Sequence, residues 1–98
     1  GEGSASSQLT YNYAIALGGI FSQLDQVDQA VWAYDKALRL SPESVELWKI
    51  QATLAQLYFR LGNSSAALHA ADSALASAPA DQKEMISEII NRISGQQK

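Results

Sequence analysis

The stretch LYFRLGNSSAALHAADSALASAP, residues 57–79, reads as the end of one helix, a tight turn and the whole of a second helix. Gly62 supplies a left-handed residue at no steric cost, and Asn63 directly after it is a strong N-cap. Ser64 to Ser77 is mostly alanine, with Leu68 and Leu75 seven residues apart on one face. Pro79 then stops the helix, because the residue before a proline avoids the helical region. Two helices joined by so short a turn run antiparallel, and the alanines between them admit a close approach of the backbones.

The same reading extends in both directions. Upstream, Ser44 with Leu47, Trp48, Leu54, Leu57 and Leu61 gives the helix that precedes Gly62. Before it, Ser41-Pro42 closes a helix carrying Val27, Ala30, Val31, Tyr34, Ala37 and Leu38, for which Asp25 is the expected N-cap. A first helix, about Gln8 to Leu24, places Leu9, Tyr13, Leu17, Ile20, Phe21 and Leu24 on one side. Downstream, Asp81-Gln82-Lys83-Glu84 has the spacing of a capping box and opens a fifth helix with Ile86, Ile89, Ile90 and Ile93, ending at Gly95. Gly1 to Ser7 (GEGSASS) reads as a flexible tail or an expression remnant.

The helices form matching pairs. Aligning Pro42 on Pro79 superposes Leu17 on Leu54, Gly18 on Ala55, Phe21 on Tyr58, Leu24 on Leu61, Asp25 on Gly62, Ala30 on Ala67 and Ala37 on Ala74. Size or polarity is kept at every pair but the turn residue, which makes an internal repeat of 37 residues. Small residues at Gly18 and Ala55 belong where the two helices of a hairpin cross. Ala30 and Ala67 pack into that crossing, and Leu17, Phe21, Tyr34 and Leu54 fill the space around it. One hairpin cannot bury its own apolar face, so hairpins of this kind stack. The expected fold is all-α: an α-solenoid of two antiparallel hairpins, residues 8–42 and 43–79, with a capping helix at 80–95 and short tails at 1–7 and 96–98.

Composition narrows the function classes. The 98 residues are 47% apolar, and sixteen of these apolar residues are alanine, which favours helix over sheet. The net charge is −3, with seven basic residues spread over the chain, so the electrostatic term that dominates nucleic-acid binding is missing. Tyr11, Tyr13, Tyr34, Trp32 and Trp48 are therefore expected to serve packing rather than base stacking. There is no cysteine, and His69 is the lone histidine. His69 and Asp72, one turn apart, lack a third partner for a metal or catalytic site. Asp28 and Asp35 share a helix face and are expected to form an exposed polar stripe rather than an acid–base pair. Gly18-Gly19 lies inside a helix and relieves crowding, and no phosphate-binding loop, calcium loop or serine elbow is present. No catalytic residue, cofactor or metal is expected. The longest uncharged apolar stretch, Tyr13 to Phe21, is too short to span a bilayer. A soluble domain is expected, with the cytoplasm as default compartment and a fragment of a membrane-associated assembly protein as the other setting.

At these residues the chain resembles the tetratricopeptide repeat family. The family's pattern of Trp, Leu, Gly, Tyr, Ala, an aromatic, Ala and Pro is met in the first copy by Ala14, Leu17, Gly18, Phe21, Ala30, Tyr34, Ala37 and Pro42. The second copy, opening at Trp48, offers Gln51, Leu54, Ala55, Tyr58, Ala67, Ala71, Ala74 and Pro79. The wording AVWAYDKALRLSP at 30–42 is close to the family's commonest form. The tryptophan of the pattern is missing from both copies, and three extra residues separate them. Those three are expected to lengthen the third helix by almost one turn, with Val45 and Leu47 packing back on the first repeat.

The resemblance implies a non-catalytic protein–protein interaction module, such as the assembly factors and scaffolds of the family. It also implies a concave face lined by the first helix of each hairpin. On that face lie Asn12, Ile15, Gly19, Ser22 and Gln23, then Lys49, Ala52, Gln56, Phe59 and Arg60. The set holds two cations and no acid, which suits an acidic or neutral peptide with one apolar anchor for Phe59. The competing class is structural: self-association into a homodimer, or spacing within a longer chain, through a first-helix edge bearing Leu9, Tyr13 and Trp48.

Overall fold

The computed structural model describes residues 2–40 and 46–96, with side chains from 10 to 40 and from 46 to 95. They form five α-helices: α1 Glu2–Gln23, α2 Val27–Leu40, α3 Leu47–Arg60, α4 Ser64–Ser77 and α5 Ala80–Gln96. No strand occurs among the described residues, so the expected all-α repeat fold is the observed one. The chain divides into two compact units, Gly1–Val45 and Glu46–Lys98. The first is the α1/α2 hairpin, and the second is the α3/α4 hairpin with α5 packed on it.

Local chemistry sets the helix ends. In the second unit Gly62 is left-handed (φ 82°), its N–H bonds the Phe59 carbonyl, and the Asn63 N–H bonds the Tyr58 carbonyl. This pair of bonds is a Schellman closure of α3. The Asn63 side chain then accepts a hydrogen bond from the Ala66 N–H at 3.1 Å, capping α4 at once. The first unit turns in the same way. Asp25 is left-handed (φ 61°), its N–H bonds Ser22, and the Gln26 N–H bonds Phe21. Asp25 is thus the closing residue of α1 and not the N-cap of α2, because it occupies the place Gly62 holds in the other copy. A Cβ in the left-handed region costs roughly 1–2 kcal/mol, less for aspartate. Asp25→Gly is accordingly expected to raise the unfolding free energy of the protein by about 0.5–1 kcal/mol, readable in a denaturant titration; an unchanged midpoint would show that the turn carries no strain.

Three other boundaries differ from the sequence reading. α1 starts at Glu2, six residues earlier than expected. Residues 2–7 contain no proline, and adding turns to an existing helix is far easier than nucleating one. α3 starts at Leu47 with Glu46 extended before it, so it gains no additional turn and is as long as α2 and α4. Val45 lies outside the described residues, and Leu47 is exposed. α5 starts at Ala80, which puts Asp81 inside the first turn, where its charge favours the helix N-terminus, rather than at the cap.

The two hairpins solve one packing problem in two ways. In the first, the buried residues of α2 are Ala30, Ala33 and Ala37. Gly18 of α1 is buried under Tyr34, and a Cβ built on it would stand 2.7 Å from the tyrosine ring. Burial against α1 raises the Tyr34 pKa by desolvation. In the second hairpin a Cβ is present at Ala55, and Ala71 replaces the tyrosine. The volume is made up by α5: Ile89 and Ile93 cluster with Ala55, Ala67 and Ala71. Nearer the other end, Ile86 clusters with Trp48, Ala52, Ala74 and Ala78. The Lys83 ammonium of α5 donates to the Leu75 carbonyl at 2.8 Å. It thereby satisfies one of the orphan carbonyls at the end of α4, which has no basic residue of its own there.

Several apolar residues lie differently from their expected place. Trp48 is buried, because α5 covers it, and is not part of an open edge. Leu17, expected to fill the hairpin, is 39% exposed, while its counterpart Leu54 is 3% exposed. Tyr13 and Trp32, expected to pack, are exposed as well.

Candidate functional site: a groove between α3 and α5

α3 and α5 enclose a shallow groove of about 170 Å³, lined by Gln56, Phe59 and Arg60 from α3 and by Ile89, Arg92 and Ile93 from α5. The helical repeat explains the grouping. Gln56, Phe59 and Arg60 follow at i, i+3 and i+4 on one face, and Ile89, Arg92 and Ile93 repeat that spacing on the other helix. The floor is apolar: Phe59 packs against the cluster that holds Ile89 and Ile93. Arg60 and Arg92 are exposed at the rim. The lining holds two guanidinium groups and no carboxylate. Glu88 stands one turn before Arg92 on α5 but is not part of the lining.

The structure treats the residues nominated from sequence unequally. Gln56, Phe59 and Arg60 come together in the groove. Ala52 does not open onto it, since α5 lays Ile86 over it and buries it. Phe59 faces both ways, forming groove lining and core together, so it is not a purely exposed anchor. Lys49 is exposed at the far end of α3 and is already paired, with its ammonium 3.1 Å from the Glu46 carboxylate and 5.8 Å from the Trp48 ring centroid. The same carboxylate accepts from the Trp48 indole N–H at 3.2 Å. The hydrogen bond from Lys49, then that from Trp48, hold the Glu46 carboxyl below its ordinary pKa. The nominated face therefore meets an acid at this end. Asn12, Ile15, Gly19, Ser22 and Gln23 belong to the first unit on α1, with Asn12 and Gln23 exposed and Ile15, Gly19 and Ser22 half-buried.

Arg92, Ile89 and Ile93 were legible only as a cap and its solvent face. The signal that points to them is their i, i+3, i+4 spacing on a helix that follows α4 as α3 follows α2. Outside the groove, His69 and Asp72 are exposed on α4, and among the described residues no group of three His, Asp or Glu side chains could hold a metal ion. Asp28 is exposed, and Asp35 pairs with Arg39 one turn on. No described helix is long and apolar enough to cross a membrane.

A family description, Tetratricopeptide repeat, matches residues 11–44, which span α1 from Tyr11 and the whole of α2. Over those residues the chain is similar to the tetratricopeptide repeat family, and its five-helix all-α fold is consistent with such a repeat. The matched segment covers the first hairpin, and the second shares its register, its left-handed turn and its alanine crossing. No curated protein and no solved structure matches the chain. Tetratricopeptide repeats serve in general as protein–protein interaction modules and are typically non-catalytic.

Proposed function

We propose that this tetratricopeptide-like protein binds a peptide segment of a partner protein on the outward face of α3, within a larger assembly factor or scaffold. The supporting observation is the groove itself, an apolar floor with a cationic rim and no carboxylate in its lining, on a chain of net charge −3. Such a surface selects a neutral or acidic segment with one apolar anchor, and arginine and aromatic residues are the types most often found as binding hot spots. Gln56, Phe59 and Arg60 carry the contact, Lys49 extends it along α3, and the α1 face of Asn12, Ile15, Gly19 and Gln23 is the corresponding surface of the first unit.

The test is titration of an identified partner against charge-reversed α3. Arg60→Glu with Lys49→Glu is expected to slow association and to weaken its dependence on salt, while circular dichroism stays native because both side chains are exposed. Phe59→Ala is expected to cost about 2 kcal/mol of affinity. It also loosens the contact with α5, so its melting curve must be recorded alongside. Full affinity in the charge-reversed protein would move the binding surface elsewhere.

A second reading has its own observation. Tyr13, Leu17 and Ile20 on α1 and Leu24 just past its end are 70%, 39%, 52% and 61% exposed, and their spacing of four, three and four residues lines them up on one side. The helix carries no charged residue from Gly3 to Gln23. That stripe supports self-association, which sedimentation over a range of concentrations separates from a monomeric peptide binder.

A further inference from the structure

We infer that α1 is the contact between two copies of this chain, paired antiparallel so that Leu17 of one copy faces Ile20 of the other and Tyr13 faces Leu24. This deepens the self-association reading above and rests on it. The first observation is what the repeat does with the same positions in the second unit. By the offset of 37 residues, Tyr13, Leu17 and Ile20 correspond to Ile50, Leu54 and Leu57. Those three are 4%, 3% and 3% exposed, whereas their counterparts on α1 lie open to solvent. The repeat register puts large apolar side chains there to be covered, and a contiguous open stripe of them marks an interaction surface. Leu24 continues the stripe past the helix end, as Leu61 does in the second repeat, where it is exposed too.

The second observation is charge, and it selects the occupant. α1 carries no charged residue from Gly3 to Gln23, while each of the other four helices carries at least one. A charged helix laid on this stripe would lose water from groups that nothing along it could pair. Another α1 brings no such group. In paired helices the residues flanking the apolar seam choose the partner. Here they are Ala16 and Gln23, exposed and uncharged, so like helices meet without repulsion.

The third observation sets the direction. A spacing of four, three and four reads the same from either end, so a reversed copy matches the stripe residue for residue. Reversal also lays the positive end of each helix dipole beside the negative end of the other, where a parallel pair would align like ends. The contact is then two-fold symmetric, each copy offering the same patch. One helix pair stays at the low end of specific interfaces, below roughly 1,200 Å² of total buried surface, so the dimer is transient and forms as concentration rises.

The experiment is sedimentation equilibrium of the full chain from micromolar to millimolar concentration. The average mass is expected to climb from that of one chain toward that of two. Ile20→Glu alone and Leu17→Lys alone should each weaken the dimer at least tenfold, with circular dichroism and melting recorded for both. An equimolar mixture of the two should associate again, because the reversed pairing sets the new carboxylate against the new ammonium. Tyr13→Lys, at the most exposed position of the stripe, should weaken the dimer without touching the hairpin interior. Trp32→Gln, at an equally open aromatic on α2, should leave it unchanged. Loss in the single variants without recovery in the mixture would overturn the antiparallel pairing and leave self-association through the stripe standing. Recovery instead in a mixture of Ile20→Glu with Ile20→Lys would do the same, since it would make the pair parallel. A mass that stays at one chain up to millimolar concentration, or a dimer weakened by Trp32→Gln and not by Tyr13→Lys or Ile20→Glu, would overturn this inference and the stripe reading beneath it together.

Discussion

Removal of α5 by truncation after Pro79 is expected to leave a chain that no longer melts cooperatively and that aggregates. The cause is the distribution of buried surface in the second unit. Ile86 closes the cluster of Trp48, Ala52, Ala74 and Ala78, and Ile89 and Ile93 close that of Ala55, Ala67 and Ala71. The α3/α4 hairpin supplies mostly alanine to both clusters, so the large side chains that complete them come from the helix being removed. Burying one isoleucine contributes roughly 1.5–3 kcal/mol, and three of them rival the whole net stability of a domain, about 5–15 kcal/mol. Exposed Trp48 should move its fluorescence to longer wavelength, and a dye that binds loose apolar surface should light up. A soluble 1–79 fragment with a sharp thermal transition would refute the covering role of α5.

The other large effect belongs to the first hairpin. Gly18→Leu is expected to destabilise it by about 1–3 kcal/mol or more, because a Cβ there already meets the Tyr34 ring at 2.7 Å. Tyr34 is only half-buried, so part of the strain can be relieved by swinging the ring toward solvent. Truncating that ring should therefore rescue: Gly18→Leu with Tyr34→Ala is expected to be more stable than the sum of the two single losses implies. Ala67→Leu, at the fully buried equivalent crossing of the second hairpin, has no such relief and should cost at least as much. Unchanged melting temperatures in Gly18→Leu and Ala67→Leu would refute the crossing geometry in both hairpins.

What could be read from the sequence was what is decided locally. Gly62 and Asn63 announce their turn by residue type, and the α4 boundaries, Ser64 and Ser77, follow from them and from Pro79. Asp25 misleads because aspartate is both a good N-cap and a tolerable left-handed residue. The alignment with Gly62 held the answer, and the repeat was the stronger signal. Burial of Trp48 and Ala52 was not legible, since it depends on where α5 lands rather than on anything in α3. For the same reason half of the candidate groove was missed: Arg92 looks like one more solvated arginine until α5 is laid beside α3. Leu17 and Leu54 occupy one repeat position with opposite exposure, and nothing in either local sequence distinguishes them.

The alanine interior of the first hairpin has a thermal consequence. Among the described residues its buried side chains are Ala14, Ala30, Ala33 and Ala37, while the second unit adds Trp48, Ile50, Leu54, Leu57 and Ile86, Ile89 and Ile93 of α5. Alanine has no rotamers to lose on folding, so closing that seam costs little side-chain entropy. It also withdraws little apolar surface from water, and exposure of such surface is what gives unfolding its positive heat capacity. The first hairpin's stability therefore changes gently with temperature, while the second unit's curve is steeper and more sharply peaked. On warming and on cooling away from their optima, the two units of one short chain lose stability at different rates.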